Sequence, residues 1–225
     1  MSGISKIILK VMAKVLIIAP HMDDEVLGCG ATIAKHVDYG DEVYVCVVAH
    51  RIYNHVFDKE RNDIEMNHSQ MAKKILGYKE IIYLNLNDER LDVCLQDIII
   101  PLEDCVSKIK PEIIYVPFYA DNNQDHRAVF EASRVVFRPV ATGFIKQIFM
   151  YEASSSTNSF LPNHYVDIEN YLDKKINAIR CYETESRDYP HSRSEQALMV
   201  LAQKRGVEIG FRAAEAFMIL RNKWK

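Results

Sequence analysis

The chain has 225 residues, 48% hydrophobic and 26% charged, a balance that excludes disorder, collagen and coiled coil and suits one globular domain over 1–225. Its 28 Lys and Arg against 31 Asp and Glu give a formal net charge of −3, without the basic footprint of a general nucleic-acid binder. A chain this long buries roughly 70% of the surface its unfolded form exposes, so the core needs no structural metal and any bound metal is free to serve chemistry.

An apolar run at 7–9 is cut by Lys10 and leads into a second at 15–19. No small-residue cleavage site follows, and neither run approaches the ~18 residues of a membrane span. The five cysteines (Cys29, Cys46, Cys94, Cys105 and Cys181) are odd in number and contain no Cys-x-x-Cys pair, and they read as reduced thiols. The expectation is a cytoplasmic protein with no membrane and no nucleic-acid partner.

The β-branched run at 14–19 predicts a fully buried strand, followed by a helix over 23–39 that stops at Gly40. The pattern repeats as strand 42–49, helix 59–76 ended by Gly77, strand 80–84, helix 93–109, strand 112–117 and helix 126–137. After Pro139 come a strand at 147–151, a polar loop at 154–159, a strand at 165–168, and helices from Glu169, Ser194 and Phe211. Alternating strands and helices predict an α/β fold. The sheet is expected to be doubly wound, mostly parallel and Rossmann-like, of order 3-2-1-4-5, with a small C-terminal helical cap.

Directly after the first strand stands Pro20-His21-Met22-Asp23-Asp24-Glu25, where a dinucleotide binder would carry a glycine-rich loop. His21 and Asp24 lie three apart on a turn entering a helix and can face one divalent ion. The loop after the fourth strand, Ala120-Asp121-Asn122-Asn123-Gln124-Asp125-His126, supplies a third ligand in His126. In the 3-2-1-4-5 order the first and fourth strands are neighbours whose carboxyl ends open into one crevice. Two imidazoles and a carboxylate leave a zinc position open for water, and Asp23 is free to act as base. Acids in a first helical turn also gain about 0.3–1 kcal/mol each from the helix dipole, which by itself would account for Asp23, Asp24 and Glu25. That does not explain His21 and Pro20 ahead of them, nor the second Asp-His at the matching strand tip.

The segment Ala19-Pro-His-Met-Asp-Asp-Glu-Val-Leu-Gly-Cys-Gly30 resembles the signature of the LmbE-like (PIG-L) family of zinc-dependent N-acetylglucosaminyl deacetylases, and Asp125-His126 resembles its second motif. Leu76-Gly77, Asp88, Leu91, the stretch 175–182, Arg205-Gly206 and Ala214-Glu215-Ala216-Phe217 extend the likeness over most of the chain. The resemblance implies His21, Asp24 and His126 as zinc ligands, Asp23 as general base, and hydrolysis of an acetamido group on a small sugar or glycoconjugate by a zinc-bound water. Fe2+ could fill the same ligand set. It also implies an enzyme whose relatives are often homo-oligomers.

Two departures stand out. Many members carry histidine two residues before Asp125, where this chain has Asn123; the oxyanion donor is then Asn123, His191 or Tyr119. The family's sugar-contacting arginine before Leu-Gly has no clear counterpart, Glu65 and His68 lying in that stretch with Arg61 one turn away. Arg127 and Arg193 join Tyr119 as candidate substrate-binding residues. The rival readings are an Fe(II) facial-triad oxygenase and a metal-retaining binding module without turnover.

Overall fold

The computed structural model describes residues 12–52, 56–153 and 159–224. The apolar run at 7–9, His55 and most of the polar loop at 154–159 lie outside the described residues. Strand β1 (Lys14–Ala19) is buried from its second residue on. Its alternating side chains divide between two cores, Leu16 and Ile18 on one face of the sheet, Val15, Ile17 and Ala19 on the other. Each fully buried Leu or Ile contributes about 1.5–3 kcal/mol, which is why an unbroken β-branched run becomes the central strand.

Helix α1 (Asp24–Asp38), β2 (Glu42–His50), α2 (Lys59–Leu76), β3 (Glu80–Asn87), α3 (Leu95–Ile109), β4 (Ile113–Pro117), α4 (Gln124–Val136) and β5 (Gln147–Tyr151) follow the predicted rhythm. The caps explain several boundaries. The Asp58 carboxylate accepts from Arg61 N at the start of α2, and Gly77 at φ 85° ends it in a conformation that other residues resist. Among the C-terminal elements are β6 (His164–Asp167), α5 (Leu172–Ile179), α6 (Glu195–Val207) and β7 (Ala214–Asn222).

The sheet has seven strands in the order β3-β2-β1-β4-β5-β7-β6. The predicted order holds through β5, all parallel, and β7 then pairs antiparallel with both β5 and β6. The C-terminal part therefore contributes α5 and α6 and also completes the sheet. The helix expected from Phe211 is instead strand β7. Its alanines favour a helix, but a short apolar run does not distinguish strand from buried helix, and two waiting strand edges decide the matter.

Helices α3 and α4 cover one face of the sheet through Leu102, Val106, Val129 and Val136. Helices α1, α2 and α5 cover the other through Val26, Ile33, Ala72, Leu76 and Ile176. Helix α1 lies so close to the sheet that a Cβ on Gly28 would fall 2.2 Å from Cδ2 of Tyr151. The Tyr151 hydroxyl donates to Ile18 O over 2.8 Å, fixing the last turn of β1. Adjacent β1 and β4 end at Ala19 and Pro117, and their carboxyl ends open into the crevice expected at a topological switch point.

Candidate metal centre

Beyond Ala19 the chain turns, with Ala49 N bonded to Pro20 O, and places His21 at the carboxyl edge of the sheet. Beyond Pro117 the loop at 118–123 leads into α4, whose first turn carries His126. His21, Asp24 and His126 are 3%, 1% and 2% exposed, so a ligand set forms out of reach of bulk water. One potential ligand atom from each lies within 4.8 Å of the others. Asp24 Oδ2 is 3.2 Å from His21 Nδ1 and 3.2 Å from His126 Nε2.

The far nitrogen of each imidazole is held by another acid. His21 Nε2 lies 3.1 Å from Asp125 Oδ2, and His126 Nδ1 lies 3.0 Å from Asp121 Oδ2. Carboxylates behind metal-binding histidines fix ring orientation and raise ligand basicity. Asp125 is itself held by N–H donation from Glu89 and Leu91. The donor set, its anchoring and its closeness fit a divalent metal ion.

The charges are set by the same contacts. Burial would push His126 down, but the Asp24 charge and the bonds to Asp121 and Asp24 outweigh it and raise its pKa to about 10. His21 is likewise raised against the effect of burial, by its bonds to Asp125 and Asp24. Burial opposes ionisation of Asp24 too, yet the two histidines hold it well below the usual carboxylate range.

Asp23 is in a different situation. It is fully buried, and among the described residues neither side-chain oxygen has a hydrogen-bond partner. Its oxygen Oδ2 faces Arg193 Nη1 at 3.2 Å and an Arg51 Nη2 at 3.7 Å. Burial raises its pKa to about 6, Arg193 opposing and the Asp24 charge reinforcing the rise. The backbone at Asp23 is left-handed, φ 108°, a conformation that costs a non-glycine residue about 1–3 kcal/mol. That turn lets two consecutive aspartates serve different neighbours. Glu25 braces it, accepting from Asp23 N at 3.2 Å and from the Tyr182 hydroxyl. Burial raises Glu25 to about 7 despite the Tyr182 bond.

Asp23 lines a cleft of about 270 Å³ whose other wall is formed by the segment 179–196, including Tyr182, Glu185, Tyr189 and Arg193. Arg193, a candidate substrate-binding residue, lines this cleft and bridges Asp23 and Glu185. His191 is exposed, outside the residues lining this cleft, and its Nδ1 accepts from Arg193 N. Asn123 Oδ1 caps α4 by accepting from Asp125 N at 2.8 Å, leaving the amide nitrogen as its donor. Arg127 donates Nη1 to the carbonyls of Asp121 and Asn122, strapping the ligand loop. Tyr119 is 49% exposed and packs its ring on Phe118 and Phe130.

Asp121, Glu25, Tyr182, Arg51 and Glu185 also belong to this site. Asp121 had a signal in the acid-rich loop before His126; the others depend on approaches between distant segments.

The family described as PIG-L, GlcNAc-PI de-N-acetylase, matches residues 16–137. A deacetylase of Escherichia coli strain K12, the uncharacterised YaiS, is 35% identical over 178 residues, covering 76% of this chain and 90% of its own. Diacetylchitobiose deacetylase of Thermococcus kodakarensis is 26% identical over 217 residues, covering 90% and 81%. The inhibitor complex of N,N'-diacetylchitobiose deacetylase from Pyrococcus horikoshii superimposes with a TM-score of 0.76 at 24% identity, over 92% of this chain and 84% of that one. Among the described residues no helix is long and apolar enough to cross a membrane.

Proposed function

The chain belongs to the PIG-L family, and from that premise we propose that it is a zinc-dependent N-deacetylase that removes the acetyl group from a small N-acetylated sugar or glycoconjugate. The observation that carries this reading is Asp23, a buried carboxylate without hydrogen-bond partners among the described residues, beside a cluster of two anchored histidines and one aspartate. A bound zinc ion, held by His21, Asp24 and His126, would supply Lewis acidity toward the acetyl carbonyl and toward water.

The chain's own residues then have separable tasks. Asp121 and Asp125 keep the two rings turned with one nitrogen toward Asp24. Asp23, raised to about 6, is ionised at neutral pH and basic enough to take a proton from attacking water and return it to the departing amine nitrogen. The Asn123 amide nitrogen is the donor for the oxyanion, since its oxygen is committed to α4. His191 acts through Arg193, which holds the Asp23 carboxylate in place. Residues 1–225 are read as one catalytic domain in a reducing cytoplasm, consistent with five free cysteines.

The test is a purified preparation with its metal measured, offered simple N-acetyl sugars while acetate release is followed. Release dependent on metal and on Asp23 is the expected result. A metal-loaded protein that frees no acetate overturns the reading.

A further inference from the structure

We propose a second binding site, at the end of the sheet opposite the metal centre, for a small uncharged aromatic molecule that carries a hydroxyl or ring N–H donor. The site is a cleft of about 250 Å³ between the last turns of α1 and the amino ends of β4 and β5, at Ile113 and Gln147. It shares no lining residue with the cleft beside Asp23. Its size is just under the ~300–1,000 Å³ of small-molecule sites. An apolar cavity of ~150 Å³ already holds a benzene ring.

The walls are aromatic. Tyr115 and Phe149 stack with ring centroids 5.2 Å apart, and His164 stacks on Phe149 at 4.5 Å. Burial lowers the pKa of His164, so at neutral pH its ring is uncharged and serves as a third flat face. The lining sets the positive charge of Lys35, whose Nζ donates to Asp167 O at 2.7 Å, against the negative charge of Asp41. A charged ligand would enter this apolar cleft without a partner of its own.

The polar groups have a fixed direction. Asp41 Oδ2 lies 2.7 Å from His36 Nδ1 and can only accept, so Nδ1 carries the hydrogen and in the neutral ring Nε2 is an acceptor. The Tyr115 hydroxyl, 3.0 Å from Nε2, then donates to it. Ala13 N holds the other Asp41 oxygen at 3.0 Å. Burial pushes the Tyr115 phenol well above its ordinary range, so its proton stays in that bond. The Tyr115 oxygen is left with lone pairs to offer and no donor. Thr32, also in the lining and 1% exposed, has a hydroxyl with no hydrogen-bond partner among the described residues. A helical threonine ordinarily bonds a carbonyl one turn back. A ligand hydroxyl can donate to Tyr115 and accept from Thr32, and a ring N–H can do the first.

The test titrates the full chain, with and without metal, with phenol, indole, toluene, benzoate and benzylamine, followed by ligand-detected NMR. Phenol and indole should bind with a Kd of about 1 mM or tighter, the scale for molecules this small, and metal should not change it. Toluene, with the ring and no donor, should bind about fivefold more weakly, and the two charged probes at least about tenfold more weakly. Tyr115→Phe keeps the ring and should bring phenol to the level of toluene. Thr32→Val should weaken phenol about threefold and leave indole unchanged. Val166→Phe narrows the cleft from the β6 side and should weaken every probe about tenfold, which keeps the inference testable if Tyr115→Phe folds poorly. Phenol that binds no tighter than toluene, no binding at all, or affinities unmoved in the folded variants would overturn the inference. So would a dimer of the wild type that Val166→Phe abolishes, because the cleft would then receive a second copy of the chain. The probes carry no acetyl group, so none of these outcomes bears on the deacetylase reading.

Discussion

Asp23 and Asp24 are chain neighbours whose carboxylates do opposite things: Asp24 Oδ2 lies 3.2 Å from an imidazole nitrogen of each of His21 and His126, whereas Asp23 is buried with no hydrogen-bond partner among the described residues. The left-handed backbone at Asp23 separates them. The pair is therefore expected to divide under mutation. Asp24→Asn should lose metal, while Asp23→Asn should keep it and drop turnover by ~10²–10⁴, the contribution of a positioned base. Elemental analysis alongside acetate release checks this, and equal metal loss in both variants would reverse the assignment.

Metal binding should release protons. In the metal-free protein His126 holds its proton up to about 10, because Asp24 and Asp121 outweigh burial. A metal must displace that proton, so affinity should rise about tenfold per pH unit between pH 6 and 8. The stability of the metal-free protein should move the other way. A folded-state pKa raised above the ordinary 6.5 gives stabilisation that is complete below 6.5 and lost as pH rises through about 10. Calorimetry in buffers of different ionisation enthalpy reads the first effect and thermal melts the second; a pH-independent affinity would contradict both.

Gly28 is expected to be intolerant of even one methyl group. A Cβ there meets the Tyr151 ring at 2.2 Å, and the ring cannot retreat without giving up its hydroxyl bond to Ile18 O. Gly28→Ala should cost about 1–3 kcal/mol by overpacking. Tyr151→Phe should cost about 1 kcal/mol for the lost bond. Paired with Tyr151→Leu, Gly28→Ala should become less harmful, a non-additivity that denaturation of the single and double variants would reveal. Additive losses would place the strain elsewhere.

Local signals made most of the fold legible. The apolar run of β1, the Gly77 stop of α2 and the short strand β5 all have the boundaries the sequence pattern predicts. Strand β7 was not legible, because its pairing with β5 and β6 outweighs the helix propensity of its alanines. Within the site, His21, Asp24 and His126 could be read because strand order alone brings their loops together. The Glu185 and Arg51 charges, and the pairing of Arg193 with Asp23, could not, since they depend on how the segment after α5 returns over the crevice. Nor does any residue type signal the left-handed turn at Asp23, where an aspartate occupies a conformation that favours glycine.

Asn123 tests whether one side chain holds two roles. Its oxygen caps α4 through Asp125 N, next to the carboxylate that orients His21, while its amide nitrogen is the proposed oxyanion donor. Asn123→Ala should therefore lose about 1 kcal/mol of stability, the usual value of a cap, and also ~10²–10³ in kcat with little change in KM. Asn123→Ser separates the two, because serine caps a helix about as well as asparagine but places no amide donor at that distance. It should melt like the wild type and turn over like the alanine variant. If Asn123→Ser instead keeps wild-type turnover, the residue's contribution is the cap alone, acting through the placement of His126. A stable variant with slow chemistry, and unchanged metal content by elemental analysis, would assign the donor to the amide nitrogen.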